Sequence, residues 1–278
     1  MLADSAYGKS KVRLVQVLRR GDRHDLRDLT VAIRFKGDYD ESYTEGDNAA
    51  VLPTDTMKNT VYAVAARHPV KEPEDFGLAL ARHFIERNPR LRRVRVDLRE
   101  HPWGRIGFGG REHGSAFVRQ GDDARTATVQ MDRHSSRVGA GMRQLIIMKT
   151  ARSAFAGFLR DEYTTLPETD DRLLATALTA TWQYGDAVAD YGTVWRAVRA
   201  TLLETFAEHD SKSVQHTLHA MGAAVLDHSH DVSAIRLVMP NKHHLPVDLS
   251  RFGLHDRNEI FVPTDEPHGV IEATLVRA

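Results

Sequence analysis

Cysteine is absent from this 278-residue chain, which excludes disulfides, thiolate zinc sites and cysteine nucleophiles. An excess of charge of either sign is also missing, because 38 Lys and Arg side chains balance 38 Asp and Glu side chains. This balance gives no global electrostatic reason to bind nucleic acid or an acidic membrane. Hydrophobic runs of the ~20 residues that a membrane helix needs are lacking, as is a signal-peptide core. We therefore expect a soluble cytoplasmic protein that recognises its ligand locally.

Hydrophobic periodicity divides the first half of the chain into strands and helices. Phe76, Leu80 and Phe84 recur at helical spacing after Pro73 and predict one helix. Another helix, earlier in the chain, is expected to begin with Thr54 or Asp55 as its N-cap. Alternating apolar residues predict the strands. The predicted order is strand 12–18, strand 29–35, helix 54–67, helix 72–89, strand 92–100 and strand 124–133.

The second half repeats this order of elements. The predicted segments are strand 141–150, strand 173–185, helix 191–206, helix 213–226, strand 232–239 and strand 270–277, with an aperiodic insertion at 154–171. We infer an α+β fold of two ββααββ units, residues 1–134 and 135–278, with antiparallel sheets covered by helices on one face. Because exposed sheet edges need protection, a homo-oligomer is expected.

Several motifs that could carry chemistry have simpler interpretations. The Gly-rich segment 104–114 fits neither a dinucleotide-binding nor a P-loop pattern and is interpreted as a flexible loop. The pairs His228/His230 and His243/His244 lack the usual spacing of zinc ligands, so no metal site is predicted. The acidic pairs in RDEY and ETDD are interpreted as solvated surface, and no G-x-S-x-G elbow occurs.

Polar residues beside the ends of elements remain as candidates. Helix N-termini expose backbone N–H groups that favour anions and planar acceptors. Each candidate could equally be only a cap or a turn, and spacing alone does not choose. The candidates are Lys9 before the first strand, Thr54 and Asp55 at one helix start, Val214 and Gln215 at another, and Asn241 and His243 after a strand.

Six short motifs give the chain a resemblance to the urate oxidase family. They are YGKSKV, TDTMKNTVY, FLRDEYTTLPET, ATWQY, SVQ and PNKHH, in the family's order from about Tyr7 to the C-terminus. The resemblance implies the T-fold, with two ββααββ repeats per chain and a homotetramer that encloses a tunnel. It also implies oxidation of urate by O2 and water to 5-hydroxyisourate and hydrogen peroxide, without metal or organic cofactor.

The resemblance further implies an active site between subunits. Lys9, Thr54 and His243 resemble the family's proton-handling group, Arg172 resembles its guanidinium clamp, and Asn241 would hold dioxygen, peroxide or water. Phe155 would stack on the purine plane. The implied catalytic residues are Lys9, Thr54 and His243, and the implied substrate-binding residues are Thr54, Asp55, Phe155, Arg172, Val214, Gln215 and Asn241.

Two other functions stay open on the sequence. Another T-fold enzyme acting on purines or pterins would require a metal-ligand set or a different glutamate anchor. A catalytically silent ligand-binding protein would bind urate without consuming oxygen. The tail of the chain lacks the peroxisomal address S-K-L, so only the activity, and not that location, is carried over from the resemblance.

Overall fold

The structure is a computed structural model that describes residues 2–121, 123–185, 188–255 and 257–277. The chain forms two compact units. The first takes in the residues up to Met142 together with Val188–Gly192, and the second begins at Arg143 and resumes at Thr193. The repeat boundary that the sequence places between residues 134 and 135 stays a prediction.

The first unit contains an antiparallel sheet covered by two long helices. Its strand order is β1-β2-β3-β6, and a separate hairpin pairs β4 with β5. Its elements are β1 (Tyr7–Arg20), β2 (Arg23–Gly37), α1 (Asp40–Thr44), α2 (Thr54–Arg67), α3 (Pro73–Arg87), β3 (Leu91–Glu100), β4 (Trp103–Phe108), β5 (Arg111–Arg119) and β6 (Ala124–Met131).

The second unit repeats the arrangement with strand order β8-β9-β10 and two helices. The division between the units falls within β7 (Ser136–Lys149). The remaining elements are β8 (Leu174–Tyr184), α4 (Tyr191–Glu208), α5 (Val214–His228), β9 (Val232–Pro246), a 3₁₀ turn (Ser250–Phe252) and β10 (Phe261–Val276). The predicted α+β class and the two ββααββ repeats are confirmed.

Alternation along the strands explains why each sheet has one buried face. Leu29, Val31, Ile33 and Phe35 of β2 are buried, and the residues between them are less so. Helix α3 lies very close to this face, since a Cβ added at Gly77 would stand 2.8 Å from Cγ2 of Val129 and 2.9 Å from Cδ1 of Leu98. In the second unit β9 buries alternate residues from Ile235 to Met239, whereas β8 is buried at every position from Leu174 to Leu178 and alternates only from Thr179 onward.

The Gly-rich segment at 104–114 is not the flexible loop that the sequence predicted. It forms most of the β4–β5 hairpin, which tertiary contacts hold in place. Arg105 lies over the Phe117 ring at 5.1 Å and donates a hydrogen bond of 2.9 Å to Asp25. Trp103 donates from Nε1 to the buried Asp28 at 3.0 Å. These contacts order a sequence that local glycine content alone would leave flexible.

The expected N-cap of α2 is also wrong. Pro53 occupies the cap position, and no side chain there accepts a hydrogen bond from the helix. Thr54 and Asp55 instead form the first turn, so their side chains are not used for capping. In α3, by contrast, Pro73 occupies the first turn as predicted. Among the helices of the described residues, none is both long enough and apolar enough to cross a membrane.

Candidate active site

A β-bulge in β1 determines which way Lys9 faces. Val12 is paired with Val31 and faces the core, so strict alternation would turn Lys9 away from the core. The register shifts between Lys9 and Val12, where Lys11 has a φ of 57°, and Lys9 is paired with the buried Ile33. Residues directly opposite one another share a face. Lys9 therefore lies on the helix-covered face, and it belongs to β1 rather than preceding it as the sequence suggested.

Gly8 permits the close approach of β1 and β2 beside this bulge. A Cβ at this position would stand 1.9 Å from the carbonyl oxygen of Ile33, a separation that no side chain could accommodate without moving the backbone. The preceding Tyr7 packs edge-on against Phe35 with ring centres 5.7 Å apart. Its hydroxyl accepts a hydrogen bond of 3.1 Å from the backbone N–H of Leu52, just before α2. The strand bearing Lys9 is thus held against the start of that helix.

The first turn of α2 contains Thr54 and Asp55, and Lys9 lies close enough for its charge to act on Asp55. The exposed carboxylate of Asp55 accepts hydrogen bonds from Lys58 and, at 3.0 Å, from Nδ2 of Asn59. The hydrogen bond and charge of Lys58 lower the pKa of Asp55, and the charge of Lys9 contributes in the same direction. Thr54 has no side-chain hydrogen bond within the described ranges. Lys9, Thr54 and Asp55 therefore form one group in the first unit.

In the second unit, backbone bridges hold the loop that carries Phe155. Phe155 and Thr169 exchange two backbone hydrogen bonds of 2.8 and 3.1 Å. Ser153 forms a parallel bridge with Ser211, the residue three positions before α5. The N–H of Ala154 donates to the Ser211 carbonyl at 2.8 Å. The loop is thus attached directly to the segment that leads into α5.

Arg172 lies against the same loop, and no side chain of the described ranges acts as its counterion. Its Cζ is 5.1 Å from the centre of the Phe155 ring, and its backbone N–H donates to the carbonyl of Ser153 at 2.8 Å. Nε of Arg172 is buried and has no hydrogen-bond partner in the described chain. Burial lowers the pKa of the guanidinium, and no carboxylate in the part of the chain that the structure describes opposes this effect. This arrangement leaves a cation ready to receive an anion.

The start of α5 supplies backbone donors beside this loop. Ser213 is its N-cap and accepts a hydrogen bond of 3.1 Å from the backbone N–H of His216. Val214 is buried, whereas the side chain of Gln215 is exposed. The first N–H groups of a helix lack partners within the helix. Val214 and Gln215 therefore lie at a helix N-terminus, as the sequence predicted, and their contact with a ligand stays a prediction.

A pair of histidines that the sequence did not single out supports this first turn. The rings of His209 and His216 lie 4.3 Å apart, and Nδ1 of His209 is 3.1 Å from Oγ1 of the buried Thr217. Lys149 donates a hydrogen bond to the His209 carbonyl. Burial, and then the charges of His216 and Lys149, lower the pKa of His209. The sequence carries no signal for this cluster, because its members come from three separate segments.

Asn241 and His243 lie within β9, not after it as the sequence suggested. The strand continues because Asn241 pairs with Thr176 on β8 and His243 pairs with Thr264 on β10. Ile235, Leu237 and Met239 are buried, so alternation puts Asn241 and His243 on the same helix-covered face. Both are half-buried there.

The two neighbouring polar residues of this strand face the other way. Lys242 pairs with Ala175 and forms an ion pair of 2.6 Å with Asp265, and Nδ1 of His244 is 3.1 Å from the Lys242 carbonyl. Strand β8 begins two residues after Arg172, and its first pairs are with Lys242 and Asn241. The start of β8 therefore joins Arg172 to the part of β9 that carries Asn241 and His243.

The predicted site residues thus form two groups, one in each unit. We call them the amine group and the guanidinium group. The amine group consists of Lys9, Thr54 and Asp55, and the guanidinium group consists of Phe155, Arg172, Val214, Gln215, Asn241 and His243. Within the described residues no three His, Asp or Glu side chains are arranged to hold a metal ion. Of the histidines considered for metal binding, His228 contacts the Ala224 carbonyl at 2.8 Å.

Comparison with known proteins gives one consistent result. The family model described as Uricase matches residues 5–130 and 138–272. The curated uricase of Arthrobacter globiformis is 41% identical over 277 residues, which cover 100% of this chain and 90% of that protein. The uricase of Dictyostelium discoideum is 37% identical, covering 100% and 98%. The crystal structure of the Arthrobacter globiformis uricase matches with a TM-score of 0.96, covering 100% of this chain and 95% of the other.

Proposed function

This chain belongs to the uricase family and oxidises urate with O2; we propose that the reaction takes place where the guanidinium group of one copy meets the amine group of another. Urate, O2 and water would give 5-hydroxyisourate and hydrogen peroxide. Two electrons pass from urate to O2, and water supplies the oxygen of the new hydroxyl group. The urate anion is itself the electron donor, so the residues that we assign bind it, orient it and move protons.

The observation that carries this proposal is the unpaired guanidinium of Arg172. Within the described residues, this half-buried cation has neither a carboxylate partner nor a hydrogen-bond acceptor for its Nε. Burying such a cation costs free energy of folding unless a bound ligand supplies the missing partner. The planar fork of an arginine suits a planar anion with adjacent acceptors. Urate has that shape and charge.

The residues around Arg172 are suited to the rest of a flat heterocycle. Phe155 provides an aromatic ring beside the guanidinium, and a purine could stack on it if Phe158, whose ring stacks there with centres 4.9 Å apart, moves aside. Val214 and Gln215 at the start of α5 provide backbone N–H groups and an exposed carboxamide. In the proposed complex Arg172 and Gln215 grip the edges of the urate ring, and Phe155 covers its plane.

Proton transfer is assigned to Lys9, Thr54 and His243, and oxygen binding to Asn241. Urate must lose a proton to become electron-rich enough to react with O2, and a lysine beside a hydroxyl can form a relay for that proton. The bulge that turns Lys9 toward the start of α2 supports this pairing with Thr54. Asn241 and His243 share one face of β9, which would put both on the same side of the bound ring.

We further propose that the chain works as a homotetramer that encloses a tunnel. The outermost strands are β1 in the first unit and β10 in the second, and among the strands of the described residues each has a partner on one side only. Pairing with another copy would protect such edges. In that assembly Thr54 and Asp55 of one copy would contact urate that Arg172 of its neighbour holds.

A direct assay tests this function. The purified protein should consume the ultraviolet absorbance of urate, take up O2 and release peroxide in equal amounts, with and without a metal chelator. Binding of urate without O2 uptake would identify a silent binding protein instead. Loss of turnover on chelation that metal restores would favour a metal-dependent enzyme of the same fold.

A further inference from the structure

Three buried side-chain atoms that lack a hydrogen-bond partner in the described residues belong to the guanidinium group or to residues near it in sequence. In the described part of the chain, Oγ of Ser153, Nε of Arg172 and Oγ1 of Thr176 are all buried and make no hydrogen bond. Ser153 lies two residues before Phe155, and Thr176 lies four residues after Arg172. An unsatisfied buried hydroxyl costs about 1–3 kcal/mol of stability. Such groups therefore require an explanation. A polar ligand in the site would give Nε of Arg172 its missing partner, but it does not by itself explain the buried hydroxyl of Thr176.

Thr176 lies directly opposite Asn241 in the β8–β9 ladder. Its side chain is 0% exposed, and Asn241 is half-buried. Paired residues of antiparallel strands point to the same face, with Cβ atoms about 4.5–5.5 Å apart. At that separation a rotation of either side chain brings the hydroxyl and the carboxamide into hydrogen-bond contact. Leu178, on the same face of β8, is apolar and fully buried, and Asn241 is the polar residue that the β8–β9 ladder puts directly opposite Thr176.

We propose that Thr176 is a positioning residue for the oxidation, whose hydroxyl donates to Oδ1 of Asn241 when the site is occupied and so turns the Asn241 amide N–H groups toward the oxygen species. The inference rests on the proposed function and deepens it. Thr176 touches neither urate nor O2, and acts only through Asn241.

The chemistry of a carboxamide makes such a positioning residue necessary. The oxygen and nitrogen ends of an asparagine side chain have nearly the same shape but opposite hydrogen-bonding character. Negative charge develops on O2 as it accepts electrons, and N–H donors aimed at that charge stabilise it, whereas a carbonyl oxygen would repel it. A hydroxyl that donates to Oδ1 selects the productive orientation of Asn241.

The alternative, that the Thr176 hydroxyl has no role in the reaction, predicts a different outcome. If the hydroxyl served no purpose, its replacement by the equally shaped valine would remove an unsatisfied buried group. Stability would then stay the same or increase, and turnover would not change. The positioning role also predicts unchanged or increased stability. It differs in predicting that turnover falls while the affinity for urate stays the same.

Three variants separate these outcomes. Thr176→Val removes the hydroxyl and Thr176→Ser keeps it. Thr179→Val makes the same change on the opposite face of β8, where Thr179 pairs with Val238 and is only partly buried. For each, kcat at saturating urate, kcat/KM for O2, the affinity of a non-reactive urate analogue and the melting temperature are measured on the assembled full-length protein.

Thr176→Val should lower kcat and kcat/KM for O2 by about tenfold, the effect of one lost hydrogen bond in the transition state. Its analogue affinity should stay within about twofold and its melting temperature should not fall. Thr176→Ser should retain turnover, and Thr179→Val should resemble the wild type. The inference is overturned if Thr176→Val turns over at the wild-type rate, if Thr176→Ser is as slow as Thr176→Val, or if turnover falls only together with analogue affinity.

If Thr176→Val does not fold, Thr176→Ala is measured against the same criteria. The wild-type protein in the same assay separates this inference from the function on which it rests. A wild type that does not oxidise urate overturns both, whereas an active wild type with an equally active Thr176→Val variant overturns the positioning role alone.

Discussion

The guanidinium carbon of Arg172 lies 5.1 Å from the centre of the Phe155 ring, and no carboxylate of the described residues is held against it. Two bridges maintain this relationship, because Phe155 pairs with Thr169 and Ser153 pairs with Ser211. The ring screens one side of the cation from water without neutralising its charge. In the proposed site the pair would serve both as an apolar platform and as an anion receptor.

Arg172→Gln should weaken urate binding. The change removes two charge-assisted hydrogen bonds to the ligand, so we expect KM and the inhibition constant of a urate analogue to rise about 10- to 100-fold. The melting temperature should not decrease, since an unpaired half-buried charge is removed. Arg160→Gln is the matched control, because Arg160 also lies over a phenylalanine of this loop, at 5.0 Å from the Phe158 ring. Unchanged KM in Arg172→Gln would refute the clamp.

Lys9→Met should reduce turnover much more than binding. A group that transfers a proton typically contributes about 10²- to 10⁴-fold to the rate, so kcat should fall by that order while analogue affinity changes little. The exposed Lys71 provides the control Lys71→Met, which should behave as the wild type. A Lys9→Met protein that loses analogue binding and retains kcat would contradict the proton-transfer role.

Mixed oligomers test whether the site is shared between copies. At a urate concentration well below the raised KM of Arg172→Gln, the Lys9→Met and Arg172→Gln chains should each be nearly inactive alone, because each lacks one member of every site. When co-expressed with different tags and purified as mixed assemblies, they should regain activity, since some sites combine an intact amine group with an intact guanidinium group. Random pairing predicts roughly a quarter of the wild-type activity. Mixed assemblies no more active than the parent variants would show that each site lies within one copy.

Gly8→Ala should destabilise the first unit and displace Lys9. The added Cβ would stand 1.9 Å from the Ile33 carbonyl oxygen, so β1 must move away from β2. We expect a loss of at least about 1–3 kcal/mol in the free energy of unfolding, together with reduced kcat. In Gly107→Ala the new Cβ would meet its nearest neighbour, the Arg111 carbonyl oxygen, at 3.6 Å, and stability should hardly change. Equal stability of the two variants in denaturant titrations would exclude the close-approach argument.

Acid should destabilise the structure around α5 through His209. Burial and the nearby charges of His216 and Lys149 lower the pKa of His209 below its ordinary value of 6.5, against the opposing effect of Asp210. The unfolded chain therefore binds the proton more readily. The stability present above pH 6.5 is lost as the pH falls through the folded-state pKa of His209.

The measurement is the melting temperature of the wild type and of His209→Gln between about pH 5 and 8, the range in which histidines titrate. The decrease toward acid should be smaller in His209→Gln. His219→Gln, a change on the exposed surface of α5, should follow the wild-type profile. A His209→Gln profile as steep as that of the wild type would show that other groups cause the acid sensitivity.

The sequence by itself determined the class of fold, the two ββααββ repeats and the identity of the family. Alternating residues such as Leu29, Val31, Ile33 and Phe35, and helical repeats such as Phe76, Leu80 and Phe84, are local patterns, and the structure buries all of them. The short motifs were recognisable because they are contiguous in the chain. The structure locates the site residues that those motifs named, and their assignment to a urate site stays a prediction.

Only the tertiary structure decided how those residues are presented. It extended β9 through Asn241 and His243, because strands on both sides supply hydrogen-bond partners that no local pattern shows. It turned Lys9 toward the helices, because one bulge at Lys11 reverses the alternation that the sequence implies. It also ordered the Gly-rich hairpin through Arg105 and Trp103. These features depend on contacts between residues far apart in the chain, and periodicity reports only on neighbours.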